Sequence, residues 1–142
     1  MKAIGGFDHK LDPKGRIVLP SCFREALGDR VVAAVIDGQC ISVYSESSWE
    51  DVIARLNEIS MQSSKGDAIQ RRILAYSFML EIDSMGRILI PEKLRATVGI
   101  IQNVRVNGKD KKLEIWDRSL WEKFMSETES LASDVRELVP GL

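Results

Sequence analysis

Residues 12–20 read DPKGRIVLP and residues 83–91 read DSMGRILIP. Setting 12 on 83 aligns Asp12 with Asp83, Gly15 with Gly86, Arg16 with Arg87, Ile17 with Ile88, Pro20 with Pro91, Arg24 with Arg95 and Gly28 with Gly99, without a gap. Conservative pairs fill the spaces between them, among them Val18/Leu89, Leu19/Ile90, Phe23/Leu94 and Leu27/Val98. One residue of slippage later, Tyr44 meets Trp116 and Trp49 meets Trp121. The chain is therefore an internal duplication of a unit of about 70 residues, and that repeat constrains the architecture before any local propensity does. A unit of that size has too little apolar surface to close a core alone. Two copies in tandem are expected to interleave their hairpins into one pseudo-symmetric domain spanning residues 1–142. The first repeat with its linker helices takes 1–76, and the second repeat with a C-terminal helix takes 77–142.

Both copies carry the same local physics. Asp at the head of a four-residue turn accepts hydrogen bonds from backbone amides just downstream, and Gly at its end tolerates positive φ. The segments RIVLP and RILIP are short, branched and stopped by Pro, as strands are. Strand, Asp-x-x-Gly turn and strand are expected to form a hairpin, with Asp12, Gly15, Asp83 and Gly86 ordering the two turns and Arg16 or Arg87 at each exit. SCFREALG and EKLRATVG then predict short helices with Pro near the start and Gly past the end. VVAAVIDGQCISVYS predicts a hairpin turning at Asp37-Gly38, and NVRVNGKDKKLEIWD one bending near Asn107-Gly108. Ser47 with Glu50, and Ser119 with Glu122, have capping-box spacing for the helices that follow. The first of those helices is expected to run to about Ile59, with MQSSKGD as a break and AIQRRILAYSF as the next helix. The tail from Ser119 to Val139 is predicted to be mostly helical.

Composition excludes more than it proposes. With 44% hydrophobic and 29% charged residues the 142-residue chain has the make-up of a folded globular protein. Its longest apolar runs, such as VVAAVI at 31–36, fall far below the ~20 residues of a membrane-spanning helix, and no basic-then-apolar leader is visible. A cytosolic location is the expectation. Cys22 and Cys40 have no partner motif and are expected to be buried thiols. His9 is the only histidine, so a His-based triad or metal cluster has no material, and no cofactor is expected. The DPKG and DSMG segments resemble a short GTPase motif, but no phosphate-cradling GxxxxGK[ST] loop accompanies them. The formal net charge of −1 removes any simple polyanion argument. Charge is nevertheless uneven: through residue 30, six basic residues stand against four acidic, and from 117 onward six acidic stand against three basic.

Turn chemistry accounts for Asp, Gly and Pro in each copy but leaves the arginine. A planar, permanently charged fork at a rigid turn suits bidentate recognition of phosphate or guanine. A structural ion pair to the Asp of the same turn is the other use open to it. Lys14 adds phosphate reach to the first turn, whereas Met85 stands at that position in the second, so the two turns are unequal. KDKK at 109–112 is read as a solvated hairpin tip.

Two tandem D-x-x-x-R motifs, each in a D-x-x-G-R-[ILV]-x-[IL]-P frame and joined by helices, resemble the MraZ family of bacterial transcriptional regulators over essentially the whole chain. The resemblance implies an α+β fold, a double-hairpin β-barrel of the AbrB/MraZ type flanked by helices. It also implies a non-enzymatic regulator that assembles into a homo-oligomeric ring. The partner implied is double-stranded DNA, as short direct repeats upstream of its own operon in the division and cell-wall gene cluster, with association with the nucleoid. Carried over by motif position, Arg16 and Arg87 are DNA-contacting, with Lys14 as an addition and Met85 as a departure. The alternatives are a non-catalytic oligomeric scaffold whose arginines brace turns, an AbrB-like antitoxin-type regulator, and an enzyme on a phosphorylated metabolite. Trp49 and Trp121 are candidates either for core packing or for sealing neighbouring subunits.

Overall fold

In the computed structural model, which describes residues 3–142, the two repeats exchange strands. The first repeat supplies β1 (Gly6–Lys10), β2 (Arg16–Val18), β3 (Arg30–Val35) and β4 (Ile41–Ser45), and the second supplies β5 (Ser77–Glu81), β6 (Arg87–Leu89), β7 (Asn103–Lys109) and β8 (Lys112–Asp117). Six of them form one antiparallel sheet in the order β1-β7-β8-β4-β3-β5. Replacing each strand by its counterpart in the other repeat reads that order backwards. The hairpins β3–β4 and β7–β8 meet at the centre through the β4–β8 pair, and each is flanked by the first strand of the opposite repeat. The two remaining strands, β2 and β6, pair only with each other, in the register Arg16↔Leu89, Ile17↔Ile88, Val18↔Arg87. Ile17 and Ile88 are aligned in the repeat, so this ribbon also maps onto itself.

That pairing corrects the expected Asp-x-x-Gly hairpins. The turns form, but the strands on either side of each do not pair: β1 goes to β7 and β2 to β6. A tight turn and a branched three-residue strand look the same from the sequence whichever strand accepts them. The long-range demand decides, because the RIV and RIL segments must bury their central isoleucine against the shared core. Leu19 N donates to Gly86 O at 2.9 Å and Ile90 N to Gly15 O at 3.0 Å, tying the ribbon to both turns. The core draws on both copies. Ile17, Leu19, Phe23 and Leu27 are buried with their repeat partners Ile88, Ile90, Leu94 and Val98, together with Val31, Val43, Val104, Val106, Leu113 and Ile115 from the sheet.

The short helices α1 (Ser21–Leu27) and α4 (Glu92–Thr97) follow the two prolines as expected. On α1, Phe23 and Leu27 face inward four residues apart, which turns Cys22 to solvent; Cys40 is buried, and burial, reinforced by Glu114, pushes its thiol pKa up. Helix α2 (Glu46–Gln62) outlasts its expected end at Ile59, and the break is the single extended residue Ser63, whose hydroxyl caps α3 (Ser64–Ala75) through Gly66 N. Ser77 and Phe78, expected to be helical, instead begin β5, where they pair with Ala34 and Ala33. The capping boxes are also displaced. Ser45 caps α2 by accepting from Ser48 N, and Asp117 caps α5 (Arg118–Glu127) by accepting from Leu120 N. In both cases β4 or β8 runs straight into the helix, so the last strand residue takes the cap. The turn between β7 and β8 lies at Asp110, with φ 56°, not at Asn107-Gly108. Gly108 is bare because the backbone of Ala3 passes over it: a Cβ there would stand 2.5 Å from the Ala3 carbonyl carbon. Lys112 is likewise no solvated tip residue, since its ammonium donates to Ser42 Oγ at 3.0 Å. The tail is helical in pieces, α5, a 3₁₀ segment at Glu129–Asp134 and α6 (Val135–Leu138). No helix among the described residues is long and apolar enough to cross a membrane.

Candidate nucleic-acid interface

The two Asp-x-x-Gly turns are near copies of one another. Asp12 Oδ1 accepts from the backbone amides of Lys14 and Arg16, both at 2.9 Å, and Asp83 Oδ1 accepts from Met85 and Arg87, also at 2.9 Å. Gly15 N returns to Asp12 O at 3.0 Å and Gly86 N to Asp83 O at 2.9 Å. The glycines have φ of 89° and 76°, which a side chain would resist. Asp12, Gly15, Asp83 and Gly86 thus stand where turn chemistry puts them.

The second carboxylate oxygen holds the arginine. Arg16 Nε donates to Asp12 Oδ2 at 2.6 Å and Arg87 Nε to Asp83 Oδ2 at 2.8 Å. The brace left open by the sequence is therefore built. It engages only one edge of each guanidinium: among the described residues, no hydrogen bond reaches the terminal Nη groups of Arg16 or Arg87. An arginine has five N–H donors in a fixed fork, so pinning Nε orients the remaining four rather than consuming them. Both side chains are part-exposed, at 31% and 24%.

The ribbon brings the two turns together. In an antiparallel pair, opposed residues and their diagonal neighbours share a face, and a diagonal spans about 7–8 Å. Arg16 opposes Leu89 and Arg87 opposes Val18, so all four belong to one face while Ile17 and Ile88 occupy the other. The burial follows suit, with both isoleucines buried and Val18 and Leu89 exposed. Lys14 is exposed at the tip of the first turn, and Met85 is exposed at the matching point of the second.

Two further arginines reach these turns, and sequence reasoning assigned them no role. The guanidinium of Arg95, from α4 of the second repeat, lies over Gly15, and that of Arg24, from α1 of the first, lies over Gly86. Their recurrence at matched positions in both copies was the available signal. Trp49 packs on Tyr44 and Trp121 on Trp116 and Phe124, each half-buried against the sheet.

The hydrogen bonds to Asp12 hold its carboxyl below the usual carboxylate value of 3.8, the backbone amide of Arg16 contributing most and its side chain adding to it; Arg87 acts likewise on Asp83. Because the folded value is depressed, the turn bonds are fully present above the ordinary carboxylate range and are lost as pH falls through the lowered value. A carbon-13 NMR titration should show both carboxyls titrating below 3.8, with no change in either turn across the neutral range. Arg16→Gln should return Asp12 only part of the way, because the larger contribution is the backbone amide.

A family model described as "MraZ protein, putative antitoxin-like" matches the chain twice, over residues 3–72 and 73–139. The Transcriptional regulator MraZ of Acetivibrio thermocellus is 32% identical over 133 residues, covering 94% of this chain and 93% of that protein. The protein of the same name from a Thermoanaerobacter species is 34% identical over 139 residues, covering 98% and 97%. That of Pediococcus pentosaceus is 35% identical over 135 residues, covering 94% of each. With both repeats matched and the relatives aligned almost end to end, the chain belongs to the MraZ family.

Proposed function

We propose that the protein is a sequence-specific DNA-binding regulator of transcription that represses its own operon in the division and cell-wall gene cluster by binding short direct repeats upstream. The observation that carries this reading is the pair of oriented arginines, Arg16 and Arg87, whose Nη donors are left open on one face of a two-stranded ribbon. A two-stranded ribbon is one of the shapes a major groove admits, and an arginine fork matches the O6/N7 edge of guanine or a phosphate. Val18 and Leu89 on the same face suit thymine methyl groups. Lys14 supplies a phosphate contact at the first turn. The two repeats, 1–76 and 77–142, act as one binding domain, since the ribbon needs a strand from each.

A chain of net charge −1 is a poor polyanion ligand as a monomer. Assembly into a homo-oligomeric ring answers this by setting many arginine-bearing ribbons on one surface, and linked contacts multiply in effective affinity. Repetition of subunits then matches repetition of operator half-sites on nucleoid DNA in the cytoplasm. The names of the relatives, all transcriptional regulators, support a regulatory role and give catalysis no support.

Fluorescence anisotropy on DNA from upstream of the protein's own gene tests the reading. Affinity should fall steeply with salt, log K declining by about 0.9 per phosphate contacted for each unit of log[salt], and a scrambled duplex should bind far more weakly. Salt-independent binding, or equal affinity for both duplexes, would overturn it. The Asp12–Arg16 ion pair favours a second reading, an interaction scaffold whose arginines only brace turns.

A further inference from the structure

The repeat that carries each Asp-x-x-Gly turn is not the repeat that covers it. We infer that Arg24 and Arg95 are positioning residues acting crosswise: Arg95 holds the turn that presents Arg16, and Arg24 holds the turn that presents Arg87. The functional consequence rests on the DNA-binding reading above, whereas the crosswise coupling itself does not.

Three observations carry it. The first is the fit between a bare Cα and a guanidinium plane. A Cβ at Gly15 would stand 2.9 Å from Arg95 Cζ, and one at Gly86 would stand 2.7 Å from Arg24 Cζ, so either glycine makes room for the opposite repeat's arginine as well as for its own positive φ. The second is the backbone link at the first turn. Arg95 Nε donates to Ile90 O at 3.2 Å while Ile90 N donates to Gly15 O at 3.0 Å, so one residue of the second repeat joins the covering side chain to the covered turn. The third is charge. At each turn one guanidinium is paired with the turn's own carboxylate, while the second, lying over the glycine, makes no ion pair among the described residues, which leaves an excess of positive charge beside the open Nη donors. A turn brace alone has no use for that excess, but an anion such as a DNA phosphate does.

The arrangement is asymmetric in a telling direction. Leu19 N bonds Gly86 O just as Ile90 N bonds Gly15 O, yet Arg24 Nε is buried with no hydrogen-bond partner, where its counterpart Arg95 reaches a carbonyl. The turn with Lys14 is thus both the more highly charged and the more firmly anchored. The turn with Met85 lacks the lysine and the anchoring bond.

Site-resolved amide hydrogen exchange on the whole protein tests the coupling without DNA. In Arg95→Met the Lys14 and Arg16 amides should exchange about tenfold faster or more, while Met85 and Arg87 hold their rates; Arg24→Met should reverse the pattern with a smaller effect. Arg95→Lys keeps the charge but not the plane, so it should fold and still loosen the Gly15 turn, which covers the case in which Arg95→Met is unstable. DNA titrations then join the coupling to function. Arg95→Met should add little to the loss caused by Arg16→Ala and should add fully to that caused by Arg87→Ala. Faster exchange in the turn of the same repeat, equal changes in both turns, or no change overturns the crosswise assignment. If the wild-type protein ignores its upstream DNA while the crossed exchange pattern holds, the DNA reading fails and the positioning role stands.

Discussion

Replacing Arg16 with Ala is expected to weaken binding to upstream DNA by about 10- to 100-fold, with the melting temperature and the oligomer size unchanged. The magnitude follows from a bidentate arginine contact, about 1–3 kcal/mol against about 1.4 kcal/mol per tenfold. Arg87→Ala should cost less, since Met85 leaves its turn without the lysine that Lys14 provides, and the double variant should bind no more tightly than a non-specific site. In a ring the loss repeats in every subunit, so the observed effect sits at the upper end or beyond. The fold should tolerate the change. Asp12 keeps its backbone bonds from Lys14 and Arg16, which do not need the guanidinium, and the ion pair is part-exposed, where such pairs contribute little. This separates the two readings of the same geometry. If the arginines are only braces, Arg16→Ala disturbs the turn and the assembly together, seen as a smaller species in light scattering and a lower melting temperature. Loss of DNA affinity with both quantities intact leaves the Nη donors as what was lost. A saturable small phosphorylated ligand displaced by the same substitution would instead favour enzyme chemistry.

The features of this site that the sequence made legible are the ones whose causes are local. An Asp that caps its own turn, a Gly that must take positive φ and a Pro that stops a strand each act within a few residues, and all three occur twice at the same spacing. What stayed hidden was set by partners far along the chain. Nothing within DPKGRIVLP says whether Ile17 pairs with β1 or with Ile88, because either ladder satisfies the same backbone groups; the choice comes from sharing one core between two repeats. Gly108 looked like a turn glycine and is instead a clearance for Ala3. The helix caps moved from Ser47 to Ser45 and from Ser119 to Asp117 because each strand ends where its sheet pairing ends, and the helix starts there. The roles of Arg24 and Arg95 needed the strand exchange itself. Each sits about eight residues beyond the arginine of its own motif yet covers the turn of the other copy.

On the DNA-binding reading proposed above, the ribbon makes stability and binding inseparable at one pair of residues, and there the largest change in folding is expected. Ile17 and Ile88 are each about 1% exposed, lie opposite one another, and seat the arginine-bearing strands on the core. Truncating either to Ala removes its transfer free energy and leaves a cavity, a combined cost of about 2–5 kcal/mol. Urea denaturation should therefore show a lowered midpoint for Ile17→Ala and for Ile88→Ala. The two losses should not add in the double variant, because the side chains meet across the ribbon and share a cavity. Binding should respond differently from the arginine substitutions. Arg16→Ala removes one contact and spares its neighbour, whereas an isoleucine truncation loosens the strand pair that sets the spacing of both arginines. Even well below the denaturation temperature, Ile88→Ala should weaken DNA binding through Arg16 as well as Arg87, although Ile88 itself touches neither solvent nor ligand. Ile17→Val and Ile88→Val, which keep the branched shape, should cost about 0.5–1.5 kcal/mol and leave affinity near wild type. Full affinity in a clearly destabilised Ile88→Ala protein would show that the arginines are held by their Asp-x-x-Gly turns alone and that the ribbon contributes folding free energy without geometry.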